Sequence, residues 1–148
     1  KLADILQTAY DRLAEKAKLK DISIELPKTK LIIFGDPDQL VELFVTLLGN
    51  AIKYSPNKSK IQIKAHKDHN SMVVVKVIDN GIGISQIDLP HIFERFYRAD
   101  HSRNKSKVDG YGLGLTLAES IVKTHNGKIA VKSTVGEGSV FTVLLPNK

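Results

Sequence analysis

One long amphipathic helix, predicted between Asp36 and Tyr54, limits the folds open to this chain of 148 residues. Asp36 provides a side-chain cap and Pro37 a first-turn proline, and the Ser-Pro-Asn sequence at residues 55–57 ends the helix. Apolar residues recur at helical spacing along one flank of this helix, so a second layer of secondary structure must cover that flank. That flank consists of Leu40, Leu43, Phe44, Leu47, Leu48 and Ala51. With 42% hydrophobic residues, the chain can bury one core there.

The segments around this helix alternate between helical and strand patterns. We predict further helices at residues 2–19, 89–93 and 113–125, and strands at residues 22–26, 31–34, 61–65, 72–78, 128–134 and 139–145. Asn126-Gly127 ends the last helix, and the turn at residues 135–138 joins the last two strands. Helices interleaved with hairpins predict an α+β fold, a two-layer α/β sandwich in which about three helices cover one face of a mixed, largely antiparallel sheet.

Composition excludes several classes of function. The net charge is +6, but the lysines are scattered and form no basic helix or aromatic-basic stripe, so we expect no nucleic-acid partner. No apolar run approaches the ~20 residues of a membrane span, and residues 1–20 do not have the charged-then-apolar pattern of a signal segment. The one concentrated basic stretch, residues 95–107, favours an anion. Because the chain begins within a predicted helix, we expect it to be a piece of a longer protein.

Three clusters of polar and glycine residues together indicate a nucleotide pocket. The first cluster, residues 50–54, lies at the end of the long helix. Its Asn50 and Lys53 share a polar stripe of the helix with Glu42 and Thr46. An amide oxygen there suits Mg²⁺, which prefers oxygen ligands and keeps several waters beside substrate phosphates. A lone asparagine on a helix is more often a surface residue, so this cluster gains weight only beside the others.

The second cluster, Asp79-Asn80-Gly81-Ile82-Gly83, directly follows an apolar strand. An ionised carboxylate only accepts hydrogen bonds, which suits an exocyclic amine such as adenine N6. Gly81 and Gly83 permit positive φ and let the backbone approach a planar base closely. Taken alone, Asp-Asn-Gly is a common turn.

The third cluster, Gly110-Tyr111-Gly112-Leu113-Gly114, precedes a predicted helix. Amide groups at a glycine-rich helix start point toward anions, with the helix dipole behind them, so phosphate is the natural ligand. The cluster is not a P-loop, since no Gly-Lys-Ser/Thr follows, nor a dinucleotide fingerprint, because position 117 is leucine. A flexible hinge is the alternative interpretation.

In order and spacing, these clusters resemble the ATP-binding domain shared by sensor histidine kinases, gyrase B subunits, MutL mismatch-repair proteins and heat-shock chaperones. The histidine kinase branch is the most similar. Residues 47–56 resemble its N box, residues 79–84 its first glycine box, residues 91–98 its F box, residues 110–115 its second glycine box, and residues 136–142 its closing glycine turn and strand. The resemblance covers residues 36–146 and implies a Bergerat-type ATP-binding fold.

The resemblance also implies roles for individual residues. Asn50 would hold Mg²⁺, Lys53 would steady phosphate, and Tyr54 would stack against adenine. Asp79 would read adenine N6. Arg98 would reach the γ-phosphate and share the catalytic role with Lys53. The other nucleotide-binding residues implied are Gly81, Gly83, Ile84, Phe96, Gly110, Tyr111, Gly112, Leu113, Gly114 and Leu115, with residues 95–111 as a mobile lid and either Ser139 or Thr142 holding a water near the base.

One departure concerns Thr46, one helical turn before Asn50. Hydrolytic relatives such as gyrase have a glutamate at this point, and histidine kinases usually have asparagine. Threonine is a poor general base at neutral pH, so efficient hydrolysis by this domain is not expected. The missing second asparagine puts the usual metal or phosphate geometry in question.

The resemblance therefore implies a single Mg-ATP-binding catalytic domain, residues 1–148, of a sensor histidine kinase. It would donate the γ-phosphate to a histidine on a separate helical dimerisation domain, for relay to a response regulator. None of the 5 histidines lies in the helical His-Glu/Asp context of such an acceptor. We interpret residues 1–20 as a helical lead-in from that domain, and expect a cytoplasmic location, a parent that can be a membrane-bound sensor, and a monomeric isolated domain. The rivals are an ATP-hydrolysing clamp of the gyrase or chaperone type and a degenerate nucleotide-sensing docking module.

Overall fold

The computed structural model describes residues 1–94 and 111–147 of the chain, with residues 111–113 described through their backbone only. This part of the chain forms three α-helices and a five-stranded sheet. The helices are α1 (Leu2–Leu19), α2 (Pro37–Tyr54) and α3 (Tyr111–Thr124), and the strands are β1 (Ser23–Glu25), β2 (Lys60–Lys67), β3 (Met72–Asp79), β4 (Lys128–Thr134) and β5 (Gly138–Pro146). A single 3-10 turn, Leu89–His91, replaces the short helix predicted at residues 89–93.

The strand order in the sheet is β1-β2-β3-β5-β4. Only β1 and β2 pair in parallel, because the chain between them crosses over through α2, and the other neighbours are antiparallel. The central strand β3 pairs with β5 in a register that sets Asp79 opposite Ser139. The predicted fold class, a mixed and largely antiparallel sheet in an α+β sandwich, is confirmed.

Side-chain alternation along β3 determines which way Asp79 points. Val73, Val75 and Val77 are buried against the helices, and Asp79 continues this alternating series on the same face. The strand therefore directs a carboxyl group into the space between the sheet and the helices.

The hydrophobic core lies between the sheet and a helical layer in which α2 packs against both α1 and α3. Phe44 of α2 is completely buried at its centre. The segment that we interpreted as a lead-in, residues 1–20, contributes the inner face of α1 to this same core. The buried residues of that face are Leu2, Leu6, Ala9, Leu13 and Ala17.

The ends of α2 and α3 follow the predicted signals. Asp36 caps α2, since its Oδ1 accepts hydrogen bonds from the N–H groups of Asp38 (2.9 Å) and Gln39 (3.2 Å). Asn126 ends α3 in the left-handed conformation, with φ of 58°. The ring of His125 joins the two helix ends, because its Nε2 accepts the N–H of Asp36 at 3.0 Å and its Nδ1 lies 2.8 Å from the carbonyl oxygen of Ile121.

The strand predicted at residues 31–34 is wrong. The segment is an extended connection in which Ile33 is buried, while Ile32 and Phe34 are 50% and 57% exposed. Its alternation reflects one inward residue rather than pairing in the sheet. The backbone of Leu31 instead bonds locally, donating to Thr29 Oγ1 and accepting the N–H of Leu2.

Gly49 offers a test of the helical layer. It lies inside α2, where an added Cβ would meet no atom within 4 Å. Since glycine in a helix interior costs about 0.5–1 kcal/mol relative to alanine, we expect Gly49→Ala to raise the free energy of unfolding by about that amount, as measured by urea denaturation. Gly127→Ala is the contrasting variant, because its Cβ would lie 2.3 Å from the carbonyl oxygen of Leu144, and it should destabilise the domain. A destabilised Gly49→Ala variant would contradict the packing around α2.

Candidate functional site

Asp79 is a buried carboxylate at the end of β3, only 7% exposed. Its Oδ1 accepts hydrogen bonds from the backbone N–H of Gly81 at 2.8 Å and of Ser139 at 3.2 Å. No described residue donates a hydrogen bond to its other oxygen, Oδ2, which leaves an acceptor for a ligand. Burial raises the pKa of Asp79, and the two backbone N–H groups oppose that rise by stabilising the ionised form.

The glycine loop that follows Asp79 is closely packed on both sides. A Cβ on Gly81 would lie 2.5 Å from the carbonyl oxygen of Tyr54, and a Cβ on Gly83 would lie 2.2 Å from that of Thr134. Of these two glycines only Gly83, with φ of 78°, adopts the positive φ that we predicted for both. Gly81 is required for close approach to α2 instead of for backbone conformation.

Backbone hydrogen bonds hold this loop between α2 and the turn that joins β4 to β5. The N–H of Ile82 donates to the carbonyl oxygen of Tyr54 at 3.1 Å, and the carbonyl of Ile82 accepts the N–H of Gly136 at 2.8 Å. The N–H of Ile84 donates to Ser133 Oγ at 2.7 Å. The loop is therefore fixed to the helical layer at one end and to the sheet at the other.

Ser133 is a site residue that the sequence analysis missed. Its hydroxyl donates to the carbonyl of Gly138 at 2.9 Å and lies 2.8 Å from Ser139 Oγ, in addition to accepting the Ile84 N–H. Ser133 thus supports both the glycine loop and the start of β5, whose Ser139 N–H donates to Asp79. A serine on an alternating edge strand carries no sequence signal for such a role.

The last turns of α2 carry the next group of predicted residues. Asn50 is half-buried, and its Nδ2 atom is buried without a hydrogen-bond partner among the described residues. Lys53 is exposed, with Nζ 5.7 Å from the centroid of the Tyr54 ring, which is within cation–π range. A buried, unsatisfied amide is costly in a folded protein, and a bound ligand can satisfy it.

An open groove of about 580 Å³ lies beside this end of α2. It brings Asn50 and Lys53 together with Thr46 and with Gly114 near the start of α3. A Cβ on Gly114 would meet Thr46 Cγ2 at 3.5 Å, an ordinary contact, so α2 and α3 approach closely here. The other lining residues are Leu13, Lys16, Leu19, Lys20, Val45, Gly49 and Ile52.

The candidate site therefore has two neighbouring parts that meet at the last turn of α2. Asp79 and the glycine loop form one part, and the groove with Asn50 and Lys53 forms the other. Tyr54 joins the two parts, because its backbone carbonyl accepts the N–H of Ile82 in the loop and it is next to Lys53 in the last turn of α2.

For several predicted site residues the structural environment differs from the expected loop or is not described. The helix α3 begins at Tyr111, two residues before the predicted start, so Gly112, Leu113 and Gly114 belong to its first turn. Ile84 and Leu115 are 8% and 0% exposed and are part of the hydrophobic core. Phe96, Arg98 and Gly110 lie outside the described residues, as does nearly all of the predicted lid.

The structure distinguishes Ser139 from Thr142. Ser139 is buried beside Asp79, on the face of β5 that carries the buried Phe141 and Val143. Thr142 lies on the opposite face of the sheet, opposite Lys76 of β3. Because successive residues of a strand point to opposite faces, only Ser139 of these two lies on the face that carries Asp79.

Residues 35–148 match the family described as histidine kinase-, DNA gyrase B-, and HSP90-like ATPase. The chain belongs to this family. The match includes Asn50, Lys53, Asp79 and the glycine loop, and continues through α3 and the sheet strands that follow. The predicted family resemblance is confirmed, and with it the assignment of the chain as an ATP-binding domain.

Individual proteins resemble the chain in sequence in one case and in fold in two others. The chain is 40% identical over 138 residues to the sensor histidine kinase YkoH of Bacillus subtilis, covering 93% of this chain and 28% of YkoH. It superposes on the mycobacterial sensor histidine kinase MprB with a TM-score of 0.87 at 24% identity, covering 98% of this chain and 95% of that one. It superposes on full-length ShkA in complex with AMPPNP with a TM-score of 0.83 at 23% identity, covering 99% of this chain and 30% of that one. The two superpositions show a common fold.

Among residues 1–94 and 111–147, no helix combines the length and apolar character that crossing a bilayer requires. The same residues contain no group of three or more His, Cys, Asp or Glu side chains placed to hold a metal ion.

Proposed function

We propose that this chain is the catalytic ATP-binding domain of a sensor histidine kinase, which binds Mg-ATP and presents its γ-phosphate to a histidine on a separate helical dimerisation domain. The observation that carries the proposal is the buried Asp79 carboxylate, with one oxygen fixed by two backbone N–H groups and the other left for a ligand. This geometry suits recognition of the adenine amine, since an ionised carboxylate accepts hydrogen bonds and cannot donate them.

The base end of the nucleotide would lie against Asp79, the glycine loop and Tyr54. Gly81 and Gly83 leave no Cβ in the close contacts that the loop makes with Tyr54 and Thr134. Ser139 supports this end through its N–H bond to Asp79. The aromatic ring of Tyr54 would cover the adenine face, in keeping with the offset stacking that aromatic rings prefer.

The phosphate end would lie in the groove beside α2. Lys53 offers positive charge there, and the first-turn amides of α3, at Gly112 and Gly114, are oriented by their helix dipole to receive an anion. Arg98 and the rest of residues 95–111 would add cations as a lid. Residues 95–107 contain five Lys and Arg residues against one Asp, and this local excess of positive charge supports the assignment.

The residues present fit a magnesium ion that is held mainly by substrate. Asn50 has an unsatisfied buried amide in the groove, and turning that amide would present its oxygen, a ligand type that Mg²⁺ prefers. When bound with ATP, the ion would neutralise charge on the phosphates. The protein itself would mainly hold the triphosphate in line for transfer, since phosphoryl transfer depends on positioning and electrostatic stabilisation more than on covalent chemistry by side chains.

The acceptor of the phosphate would be a histidine outside this chain. His91 lies 2.8 Å from Glu94 Oε2 in an exposed connection, and both nitrogens of His125 are engaged with backbone groups. His66 and His69 lie on β2 and in the hairpin turn after it. None of these four lies within an α-helix, which supports an acceptor on a helical dimerisation domain, with a response regulator receiving the phosphate next. ATP and such a regulator meet in the cytoplasm, where the domain would work.

Thr46 leads to a prediction about hydrolysis. It lines the groove beside Asn50, where a hydrolytic enzyme needs a base to activate water, and a threonine hydroxyl is a poor base at neutral pH. We expect the isolated domain to turn over Mg-ATP well below ~1 s⁻¹, the low end of ordinary enzyme rates. A coupled assay of ADP release measures the rate. Fast steady-state hydrolysis would favour the clamp type of ATPase over a kinase.

The decisive experiment supplies the dimerisation domain in trans with Mg-ATP labelled on the γ-phosphate. We expect label to appear on the histidine of the added domain, and to disappear when that histidine is replaced. Nucleotide binding by the ATP-binding domain is measured in parallel. Binding without transfer would identify a nucleotide-sensing docking module and refute the proposed kinase.

A further inference from the structure

We infer that Lys20 is a positioning residue for the nucleotide site, although it lies at the end of α1 and outside every motif of the family. This inference rests on the proposed function, since it concerns the same site. The Nζ atom of Lys20 donates hydrogen bonds to the backbone carbonyl oxygens of Ile52 at 2.8 Å and Lys53 at 3.2 Å. It therefore reaches across from α1 to hold the last turn of α2.

Those two carbonyl groups lie at the C-terminal end of α2, where the final carbonyls of a helix have no partner within the helix. The negative end of the helix dipole is also located there, so an ammonium group stabilises it in two ways. Lys20 is half-buried, and the backbone carbonyl of Lys20 in turn accepts the N–H of Lys58, just after α2 ends. The end of α2 is thus held to α1 on both sides of Ser55.

The turn that Lys20 holds is the one where the two parts of the site meet. Lys53 is one of its residues, Asn50 lies immediately before it, and Tyr54 follows with its carbonyl bound to the N–H of Ile82. Gly81 sits so close that an added Cβ would be 2.5 Å from that same carbonyl. A small displacement of this turn would therefore move the groove residues and the glycine loop together.

The charge of Lys20 also belongs to the groove, because Lys20 and Lys53 both line it. Two lysines on neighbouring helices would repel each other if both were free. The carbonyl groups of Ile52 and Lys53 offset the charge of Lys20 and fix its ammonium at the helix end, which reduces its repulsion of Lys53. Lys20 consequently sets both the position and the electrostatics of the last turn of α2.

The test compares binding of a fluorescent ATP analogue with Mg²⁺ in three variants of the whole domain. We expect Lys20→Met to weaken binding about three- to tenfold at a temperature where the variant is fully folded. Lys20→Arg keeps a cation that can donate to both carbonyl groups, and should restore most of the affinity. Lys18→Met is the matched control. It also removes a cation from the last turn of α1, but the side chain of Lys18 makes no hydrogen bond with a described residue. This variant should bind the analogue like the parent.

Amide hydrogen exchange supplies a second measurement that a general loss of stability would not reproduce. In Lys20→Met, exchange should accelerate at residues 52–55 and 81–83 and remain unchanged in β4. If Lys20→Met fails to fold, Lys20→Gln, which keeps an N–H donor without the charge, takes its place in both measurements. Unaltered affinity and unaltered exchange in the folded variant would overturn the inference and leave the proposed function standing. If the parent domain itself binds no nucleotide, both fail together.

Discussion

Asp79→Asn is expected to weaken binding of ATP about ten- to a hundredfold, since a hydrogen bond to a charged group contributes roughly 1.5–3 kcal/mol and ~1.4 kcal/mol is tenfold in affinity. The substitution is nearly isosteric. The side-chain oxygen that remains can still accept the N–H groups of Gly81 and Ser139, so the loop keeps its anchors. Only the ligand-facing oxygen is replaced, by an NH₂ group that would meet the adenine amine donor to donor. Titration with a fluorescent ATP analogue, with and without Mg²⁺, measures the loss.

Asp88→Asn is the matched control for this experiment. Asp88 is equally buried, at 5% exposure, but its carboxylate pairs with Ser85 in the connection after the glycine loop. Its replacement should leave ATP affinity close to that of the parent. Equal affinities of the parent and Asp79→Asn would refute the adenine contact assigned to Asp79.

The Asp79→Asn variant should also be more stable than the parent at neutral pH when no nucleotide is present. Burial raises the folded-state pKa of Asp79 above its unfolded value, so the folded protein holds this proton more tightly than the unfolded chain does. The stability due to this group is therefore present at acid pH and is lost as pH rises through the folded-state pKa. An asparagine side chain does not titrate, so the variant avoids this loss. Thermal melts should separate the two proteins at pH 7 and bring them together below pH 3.8, the ordinary pKa of an aspartate, and a constant difference would contradict the raised pKa.

Gly138→Ala is expected to destabilise the domain by roughly 3 kcal/mol or more and to impair nucleotide binding, because the Cβ would lie 2.1 Å from the carbonyl oxygen of Asp79. Gly138 also adopts a φ of 106°, which is strained for any other residue. To accept the methyl group, the start of β5 must separate from the end of β3. That movement would displace the carboxylate of Asp79 from the N–H of Ser139.

Gly136→Ala separates backbone strain from collision. Gly136 is in the same turn and also has positive φ, at 85°, but an added Cβ would meet nothing within 4 Å. Its substitution should cost only about 1–2 kcal/mol, the ordinary penalty of a left-handed residue, and leave binding nearly intact in the folded protein. Denaturant unfolding and nucleotide titration on both variants measure the difference. Similar losses in the two would show that Asp79 is not packed against Gly138.

The parts of this molecule that the sequence predicted are those encoded locally. The cap at Asp36, the stop after Tyr54 and the alternation of β3 act over a few residues, so helix bounds and the inward direction of Asp79 could be read from pattern. The choice between Ser139 and Thr142 depended on strand register, which requires the paired strand β3. The strand predicted at residues 31–34 failed because an alternating pattern cannot distinguish a paired strand from an extended connection.

Contacts between distant segments account for the site residues that sequence reasoning missed. Lys20 is separated by 32 residues from the carbonyl of Ile52 to which it donates, and Ser133 by 49 residues from Ile84. Both are common polar residues in segments where such residues are usually solvated. Gly81 was predicted to be needed for backbone freedom, whereas the close approach to the carbonyl oxygen of Tyr54 is what requires it. Residue type and spacing do not encode contacts of this kind.

The parallel pairing of β1 affects how the sheet opens. This strand has three residues and, among the described strands, pairs only with β2, across a crossover that includes the whole of α2. Such a pairing closes a long loop for few bonds, so it should assemble after the antiparallel strands and dissociate first in fluctuations of the native state. Because β2 separates this edge from β3, transient fraying there should leave the end of β3 that carries Asp79 paired with β5.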